Sequence, residues 1–182
     1  MIDHIPKVLY KSKIAEVLDD IRYNYGKLTR RGYIYGIIAI DQDAKIIAID
    51  SRFDRKLNYW DLSSIGAALY GVARQGQDFF ETEDLEQAMI IYSDMRLFVK
   101  SIGQVNVQEK GERDILLVLL TDNDVNLGVM FLQLSNFAIK IKREIEANQL
   151  ARKTMKMSEK DLKKHIKELK KQIFSDRLGT IS

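Results

Sequence analysis

The chain has 182 residues, of which 46% are hydrophobic and 30% are charged, with a formal net charge of +3 and no cysteine. This composition is typical of a globular domain with its own core, and it excludes disulfide frameworks and thiolate metal sites. The first residues lack the apolar run of a signal peptide, and the longest apolar run, 115–120, is far shorter than the ~20 residues of a membrane-spanning helix. We therefore expect a cytoplasmic protein without membrane insertion.

Charge is unevenly distributed along the chain. Residues 150–182 contain 10 basic and 4 acidic residues, whereas residues 1–149 contain 19 basic and 22 acidic ones. A mildly acidic body is therefore followed by a basic extension. We expect one domain over 1–149 and a basic amphipathic helical extension over 150–182.

The first predicted element is an amphipathic helix that begins near Ser12, or at Pro6, and ends at about Tyr25. Apolar residues recur along it at helical spacing, and charged residues occupy the opposite side. Gly26 follows as a C-terminal stop. We interpret the apolar stripe as core packing.

Two strands and a turn come next. Residues 33–50 form two apolar, β-rich runs joined by the polar turn Asp41–Gln42–Asp43–Ala44, where the Asp41 carboxylate can bond to the turn backbone. Both faces of 33–40 and of the later run 115–120 are apolar, which predicts strands that are covered on both sides. Since the connections between neighbouring strands are too short for helical crossovers, we expect a largely antiparallel sheet with helices on both faces.

The middle helix, near residues 60–77, has two different faces. Asn58 can cap its start, and Asp61 supports the same end. An aliphatic stripe suited to the sheet consists of Leu62, Ile65, Leu69 and Val72. A second face is small and consists of Ser64, Ala67, Ala68 and Gly71. Small residues on a soluble helix cost stability unless something packs on them, so either a loop of the same chain or a second helix across a two-fold axis covers this face.

Three further strands and a helix complete the body. Val105 and Val107 lie at alternate positions of the polar connection 103–113, which hints that the strand before it continues into the connection. We expect, in order, a strand at Gln87–Tyr92, the turn Ser93–Asp94–Met95, a strand at Arg96–Ile102, the connection 103–113, a strand at 115–120 and a helix near 126–148.

Catalytic, metal and cofactor motifs are missing from the sequence. The two histidines, His4 and His165, lie at opposite ends of the chain and cannot form a zinc site without cysteine. Asp122, Asp124 and Asn126 alternate as in a calcium loop, but the sixth and twelfth positions of that loop carry Leu and Gln instead of Gly and Glu. No phosphate-binding glycine loop or nucleophile motif occurs. We expect no enzyme and no cofactor.

These elements resemble the Roadblock/LC7 family. The resemblance rests on the order of elements, on the hairpin GYIYGIIAIDQDAKIIAID and on the TDNDVNLG entry to the last body helix, and it covers about residues 10–146. Gly36, the acidic turn at Asp41–Asp43 and Asn126–Leu127–Gly128 match the family's pattern best. The connection 103–113 is longer than in that pattern, and the basic extension lies outside the domain.

The resemblance implies an α/β fold of α+β type, in which a five-stranded antiparallel sheet lies between one helix and a helical pair. It also implies a dimer whose sheets join edge to edge through the third strand while the middle helices pack together. The third strand here is Gln87–Tyr92, whose unpaired backbone would otherwise invite uncontrolled association. The expected dimer interface therefore consists of Ser64, Ala67, Ala68, Gly71, Met89 and Ile91.

Members of this family mostly regulate or scaffold small Ras-like GTPases, or serve as adaptors in motor and trafficking complexes. The resemblance thus implies a homodimeric scaffold or regulator of a small Ras-like GTPase. An adaptor that forms a heterodimer with another Roadblock or longin-like chain stays open. A nucleic-acid-binding module is disfavoured, because the body is acidic and the extension lacks interleaved aromatic residues. No pattern marks an arginine finger among the four polar candidates Arg52, Arg55, Arg74 and Arg96.

The basic extension has a pattern of its own. Ser158 and Asp161 form a helix start that resembles a capping box. A narrow apolar stripe follows, which we call the seam, and lysines surround it. An isolated helix of this length is marginal in water unless its seam is covered, so we expect it to dock on the dimer or on a partner rather than on a membrane. Removing residues 152–182 should leave a folded dimer. The seam consists of Leu162, Ile166, Leu169 and Ile173.

Overall fold

A computed structural model describes residues 5–108, 110–158, 160–161, 164 and 167–168. The helices and strands follow the predicted order, with one additional short helix at the start and a short helix at the beginning of the predicted helical extension. No helix in these described ranges is both long enough and apolar enough to cross a membrane. In chain order the elements are α1 (Lys7–Tyr10), α2 (Lys13–Leu28), β1 (Ile34–Asp41), β2 (Ile46–Ile49), α3 (Tyr59–Phe80), β3 (Gln87–Ile91), β4 (Met95–Val107), β5 (Gly111–Asp122), α4 (Leu127–Ala147) and α5 (Gln149–Lys156).

The five strands form one antiparallel sheet in the order β2-β1-β5-β4-β3. Helices α2, α4 and α5 cover one face, where they share a core with Ile37, Phe98 and Leu117. Helices α1 and α3 cover the other face, over Ile38 and Val118. The predicted five-stranded antiparallel sheet with helices on both faces is confirmed, and the doubly apolar strands are its buried central members.

Helix α2 begins where the sequence predicted but ends later. Ser12 is its N-cap, and Pro6 instead precedes the separate helix α1. The prediction that Gly26 stops the helix is wrong, because the last turn closes when the Thr29 N–H donates to the Tyr25 carbonyl at 3.0 Å. A glycine stops a helix by adopting a left-handed backbone, which Gly26 does not do.

Short carboxylates close the turns after β1 and β5, as predicted for Asp41. The Asp41 Oδ1 atom accepts the N–H groups of Asp43 at 2.9 Å and Lys45 at 3.0 Å. The Asp122 Oδ1 atom accepts the Asp124 N–H at 3.0 Å in the same way. Each of these bonds joins residues a few positions apart, so the local sequence is sufficient to form the turn.

Most of the segment 103–113 is part of the sheet, and the connection is only the short turn between Val107 and Gly111. Strand β4 continues to Val107, β5 begins at Gly111, and pairs such as Val105 with Arg113 extend the ladder between them, past one β-bulge. Val105 and Val107 are each only 1% exposed, while polar residues alternate with them on the other side. The pattern was therefore that of a strand with one buried and one solvated face.

The face of helix α3 that meets the sheet overlaps only half of the predicted stripe. Leu62 is buried and Leu69 packs against the same core, but Ile65 is 44% exposed and Val72 is 69% exposed. A Cβ atom at Gly66 would lie 2.5 Å from a methyl group of Val118, so α3 lies close against β5 at this point. The absence of a side chain at Gly66 permits this close approach, which a row of aliphatic side chains would prevent. The buried positions of the helix are Tyr59, Leu62, Ser63, Gly66 and Tyr70.

The start of the basic extension belongs to the core. Helix α5 packs on the same face of the sheet as α2 and α4, and Ala151 and Met155 are buried there. Lys45, itself buried, reaches from the β1–β2 turn and donates to the Met155 carbonyl at 2.8 Å. That carbonyl lies in the last turn of α5, where a cation is favourable. The domain boundary after residue 149 stays a prediction, but this packing leads us to expect that loss of the chain from residue 152 onwards would cost stability.

Candidate interaction surface

None of the described residues covers the outer face of α3, although the opposite face of the helix is buried. Ile65 and Val72 add aliphatic area to a surface that is otherwise small. Because short side chains allow a second backbone to approach closely, this face suits a helix better than a bulky loop. Of the four predicted small residues, Ala67 is half-buried, and the other three are exposed: Ser64, Ala68 and Gly71.

Among the described strands, β3 is an edge strand whose single pairing partner is β4. Its side chains alternate, since Met89 is 40% exposed and Ile91 is 62% exposed, whereas Ala88 and Ile90 between them are half-buried. An open edge that carries exposed apolar side chains is a template for pairing with another strand. The assignment of this strand as the edge is confirmed.

The opposite edge of the sheet is protected. Strand β2 is four residues long and all four are buried. Ile5 and Leu9 pack on it from the α3 side of the sheet, and Ala151 and Met155 pack from the α2 side. Within the part of the chain that the structure describes, β3 is therefore the edge available to a partner.

The two halves of the expected interface lie on different layers of the molecule. Met89 is opposite Phe98, which belongs to the core under α2 and α4, so Met89 and Ile91 lie on that face of the sheet. Ala68 lies on α3, on the other face. A second copy joined along β3 would meet both halves, because the edge backbone lies between the two layers.

The candidate arginines have separate environments. Arg74 forms an ion pair with Asp114, and Arg96 donates to a backbone carbonyl at 3.3 Å. Arg52 lines a cleft of about 450 Å³ beside the end of α2, and Arg55 is exposed. The structure does not bring the four together and marks none of them for insertion into a partner.

The C-terminal end of α3 forms a corner that the sequence analysis did not single out. Phe79 is 83% exposed and Phe80 is 80% exposed. No lysine or arginine occurs between residues 75 and 95. In the sequence, this corner could have been recognised from two adjacent aromatic residues that are followed by a run of acidic residues. We name this group the acidic corner, and it consists of Phe79, Phe80, Glu81, Glu83, Asp84 and Glu86, all of which are exposed.

Two buried carboxyl groups stabilise the sheet away from this surface. The Asp50 carboxylate accepts the Ile37 N–H at 2.7 Å and an Arg22 guanidinium N–H at 2.6 Å. Burial raises the pKa of Asp50, although Arg22 and the Ile37 N–H act in the opposite direction. Burial also raises the pKa of Asp41, whose carboxylate lies 3.5 Å from the Lys45 ammonium. Both groups find their charge partners inside the fold, which assigns them to structure.

The described residues contain no group of three or more metal-ligating side chains. In the stretch that resembles a calcium loop, Asp122 accepts the Asp124 N–H and Asn126 caps α4 with its side-chain oxygen. These oxygen atoms are therefore used to shape the turn and the helix start. His4 and His165 lie outside the described residues.

The basic extension is described only in part. Ser158 accepts the Asp161 N–H at 3.2 Å and donates its hydroxyl to the Asp161 carboxylate at 2.6 Å, so the predicted capped start is confirmed. The described lysines that follow are exposed. The predicted seam lies outside the described residues: Leu162, Ile166, Leu169 and Ile173.

No family model matches the chain, and no curated protein matches it in sequence. MglB from Myxococcus xanthus superposes with a TM-score of 0.57 at 14% identity, over 74% of this chain and 89% of that one. An MglB with tetrameric arrangement gives a TM-score of 0.60 at 17% identity, over 79% and 98% of the two chains. A Roadblock/LC7 domain from Streptomyces avermitilis gives 0.52 at 14% identity, over 66% and 92%. At identities this low, the superpositions establish a common fold.

Proposed function

We propose that this chain, which has the Roadblock/LC7 fold, is a homodimeric, non-enzymatic scaffold or regulator of a small Ras-like GTPase in the cytoplasm. The observation that carries the proposal is the combination of an open β3 edge with an uncovered small and apolar face on α3. The resemblance of the sequence to a family that mostly regulates or scaffolds such GTPases supplies the class of partner.

The dimer part of the proposal follows from the geometry of the two surfaces. In a two-fold arrangement each copy uses the same patch, so the patch must complement itself. Antiparallel pairing of two β3 strands satisfies this condition and would cover Met89 and Ile91. Two α3 helices that cross at Ala68 satisfy it as well, because neither copy needs a cavity for the other's side chains.

An adaptor subunit that pairs with another Roadblock or longin-like chain through the same surface is the alternative. A heterodimer would place a different helix against the small face of α3. We favour the homodimer because small residues at the crossing suit two copies of the same helix equally well. Nucleic acid is disfavoured as a partner, since the body of the protein carries more acidic than basic residues.

The proposed dimer would act by presenting a surface to the GTPase. Any effect on hydrolysis or exchange would come from ordering the GTPase's own switch regions, since a bound partner can select one conformation of such segments. Of the candidate arginines, Arg74 and Arg96 are already engaged by the protein's own groups. Arg52 and Arg55 are exposed, but no pattern in the sequence marks either of them as an arginine finger, so the proposed mechanism does not include a supplied arginine.

Binding of Ras-like GTPases from the same organism tests the proposal. Each GTPase would be loaded with GDP or with a non-hydrolysable GTP analogue and titrated calorimetrically with the purified full chain. We expect one of them to bind with a preference for one nucleotide state. Absence of binding to every such GTPase in both states would contradict the proposed function.

A further inference from the structure

We propose that residues 158–174, the part of the basic extension after α5, dock on the acidic corner at the end of α3 in the same chain. This inference does not depend on the GTPase, because it concerns two parts of one molecule. The proposal names the segment that covers Phe79 and Phe80, the most exposed aromatic side chains among the described residues.

The acidic corner is a surface on which two aromatic rings and most of the carboxylates are exposed to solvent. Phe79 and Phe80 are almost fully exposed, and four carboxylates follow them within six residues. Among the described residues, one ion pair is formed there, between Glu86 and Lys100 at 4.0 Å. Two exposed rings beside a cluster of carboxylates suit a ligand that is apolar along one side and carries cationic side chains around it.

The basic extension has that composition. Residues 158–174 contain six lysines and three acidic residues, and an apolar seam runs through them in the sequence. The described lysines are exposed and carry no ion pair among the described residues: Lys160, Lys164 and Lys167. A helix with a narrow apolar seam is only marginally stable in water until the seam is covered. A surface that offers aromatic rings and opposite charge would therefore stabilise the extension.

The extension begins at the same end of the sheet as the acidic corner. The end of α5 is held to the β1–β2 turn by the bond between Lys45 and the Met155 carbonyl. In the same turn, the Gln42 side chain accepts the Asp114 N–H at 2.8 Å, and Asp114 in turn pairs with Arg74 in the C-terminal half of α3. These contacts place the end of α5 and the end of α3 at the same end of the sheet, on opposite faces.

The segment has to pass from one face of the sheet to the other, towards the β3 edge. Ten residues cover about 15 Å as a helix and about 33 Å when extended. In the proposed dimer Glu86 adjoins the paired β3 strands, while the two rings of the corner lie away from the helix crossing. Phe79 follows Ala68 by eleven positions, or about 17 Å along the helix, so a crossing centred on Ala68 lies well away from the corner.

A pair of spin labels tests the docking. The chain has no cysteine, so Thr82→Cys and Gln172→Cys provide two unique labelling positions in the full-length protein. We expect a narrow distance distribution at low salt. At about 1 M salt, where the Debye length falls to about 3 Å, the distribution should broaden. A broad distribution at low salt would overturn the proposal.

Matched variants separate docking from chance proximity. Glu83→Lys combined with Asp84→Lys, and separately Phe79→Ser combined with Phe80→Ser, should each broaden the distribution at low salt. Asp124→Lys removes another exposed carboxylate, after β5, and should leave the distribution narrow. A narrow distribution that survives both double variants would contradict the proposed site. Loss of the narrow distance on dilution with unlabelled chain would assign the extension to a partner copy and contradict the same-chain assignment.

Discussion

At the level of single residues, Asp50 joins three elements through one buried carboxylate. It follows β2, accepts a backbone N–H from β1 and pairs with Arg22 of α2. Removing one partner of such a pair leaves the other charge buried without compensation. The side chain thereby sets how α2 lies on the first hairpin.

Asp50→Asn should lower the free energy of unfolding by about 3–5 kcal/mol, because the Arg22 guanidinium, with 12% of its side chain exposed, would lose its counter-charge. Chemical denaturation measures this loss. Asp94→Asn, in an exposed turn, is the matched control and should change stability by less than about 0.5 kcal/mol.

The same variant reports the direction of the pKa shift. Burial raises the pKa of Asp50 above its ordinary value of about 3.9, so in the interval between the two values the folded protein binds more protons than the unfolded chain. Stability due to this group therefore rises as the pH falls through that interval. Because the Asn side chain does not titrate, the loss caused by Asp50→Asn should be larger at mildly acidic pH than at neutral pH. A smaller loss at acidic pH would mean that the ion pair outweighs burial.

Residue-level features were predictable from the sequence where the interaction is local. The caps at Ser12 and Asn58 and the turn at Asp41 each join groups a few positions apart, so residue type and spacing were sufficient. The pair between Arg22 and Asp50 joins residues 28 positions apart, and no periodic pattern marks it.

At the level of elements, the contact between α3 and the sheet depends on Gly66. Gly66→Ala should lower stability by about 1–3 kcal/mol, because the new Cβ would lie 2.5 Å from a methyl group of the buried Val118. Thermal unfolding measures the change. Gly26→Ala is the control, since no atom lies within 4 Å of its Cβ position, and it should leave stability unchanged or raise it by up to about 1 kcal/mol.

Helix α5 gives a second prediction at this scale. Met155→Ala should cost about 2–5 kcal/mol, because Met155 is 0% exposed in the core beneath α2 and α4. Leu150→Ala in the same helix removes a side chain that is 38% exposed and should cost much less. Equal losses in the two variants, measured by denaturation, would show that α5 does not pack as described.

Elements were predictable where the apolar period was regular along the whole segment. The strands β1 and β5 have long apolar runs, whereas 103–113 is polar on every second position and was interpreted as a connection. Helix α5 was grouped with the extension because it is rich in basic residues. Its burial depends on Ala151, Thr154 and Met155, three residues whose spacing is helical but whose number is small.

At the level of the whole molecule, the sheet order leaves two edges with different surroundings. Strand β2 is short and covered by α1 and α5, while β3 is open and flanked by exposed apolar side chains. The family resemblance of the sequence implied which strand would be the edge. It could not show that Met89 and Ile91 lie on the face opposite α3, because that depends on the register of β3 against β4.

The central claim is that α3 and β3 form a two-fold interface, and multi-angle light scattering of wild type and Ala68→Arg tests it most directly. The substitution would place an uncompensated cation in a close helix crossing, at a cost of about 3–5 kcal/mol. Ser135→Arg, on the exposed side of α4, is the matched control. We predict twice the mass of one chain for wild type and the control, and the mass of one chain for Ala68→Arg at the same concentration. A monomeric wild type, or an Ala68→Arg protein as dimeric as wild type, would contradict the interface.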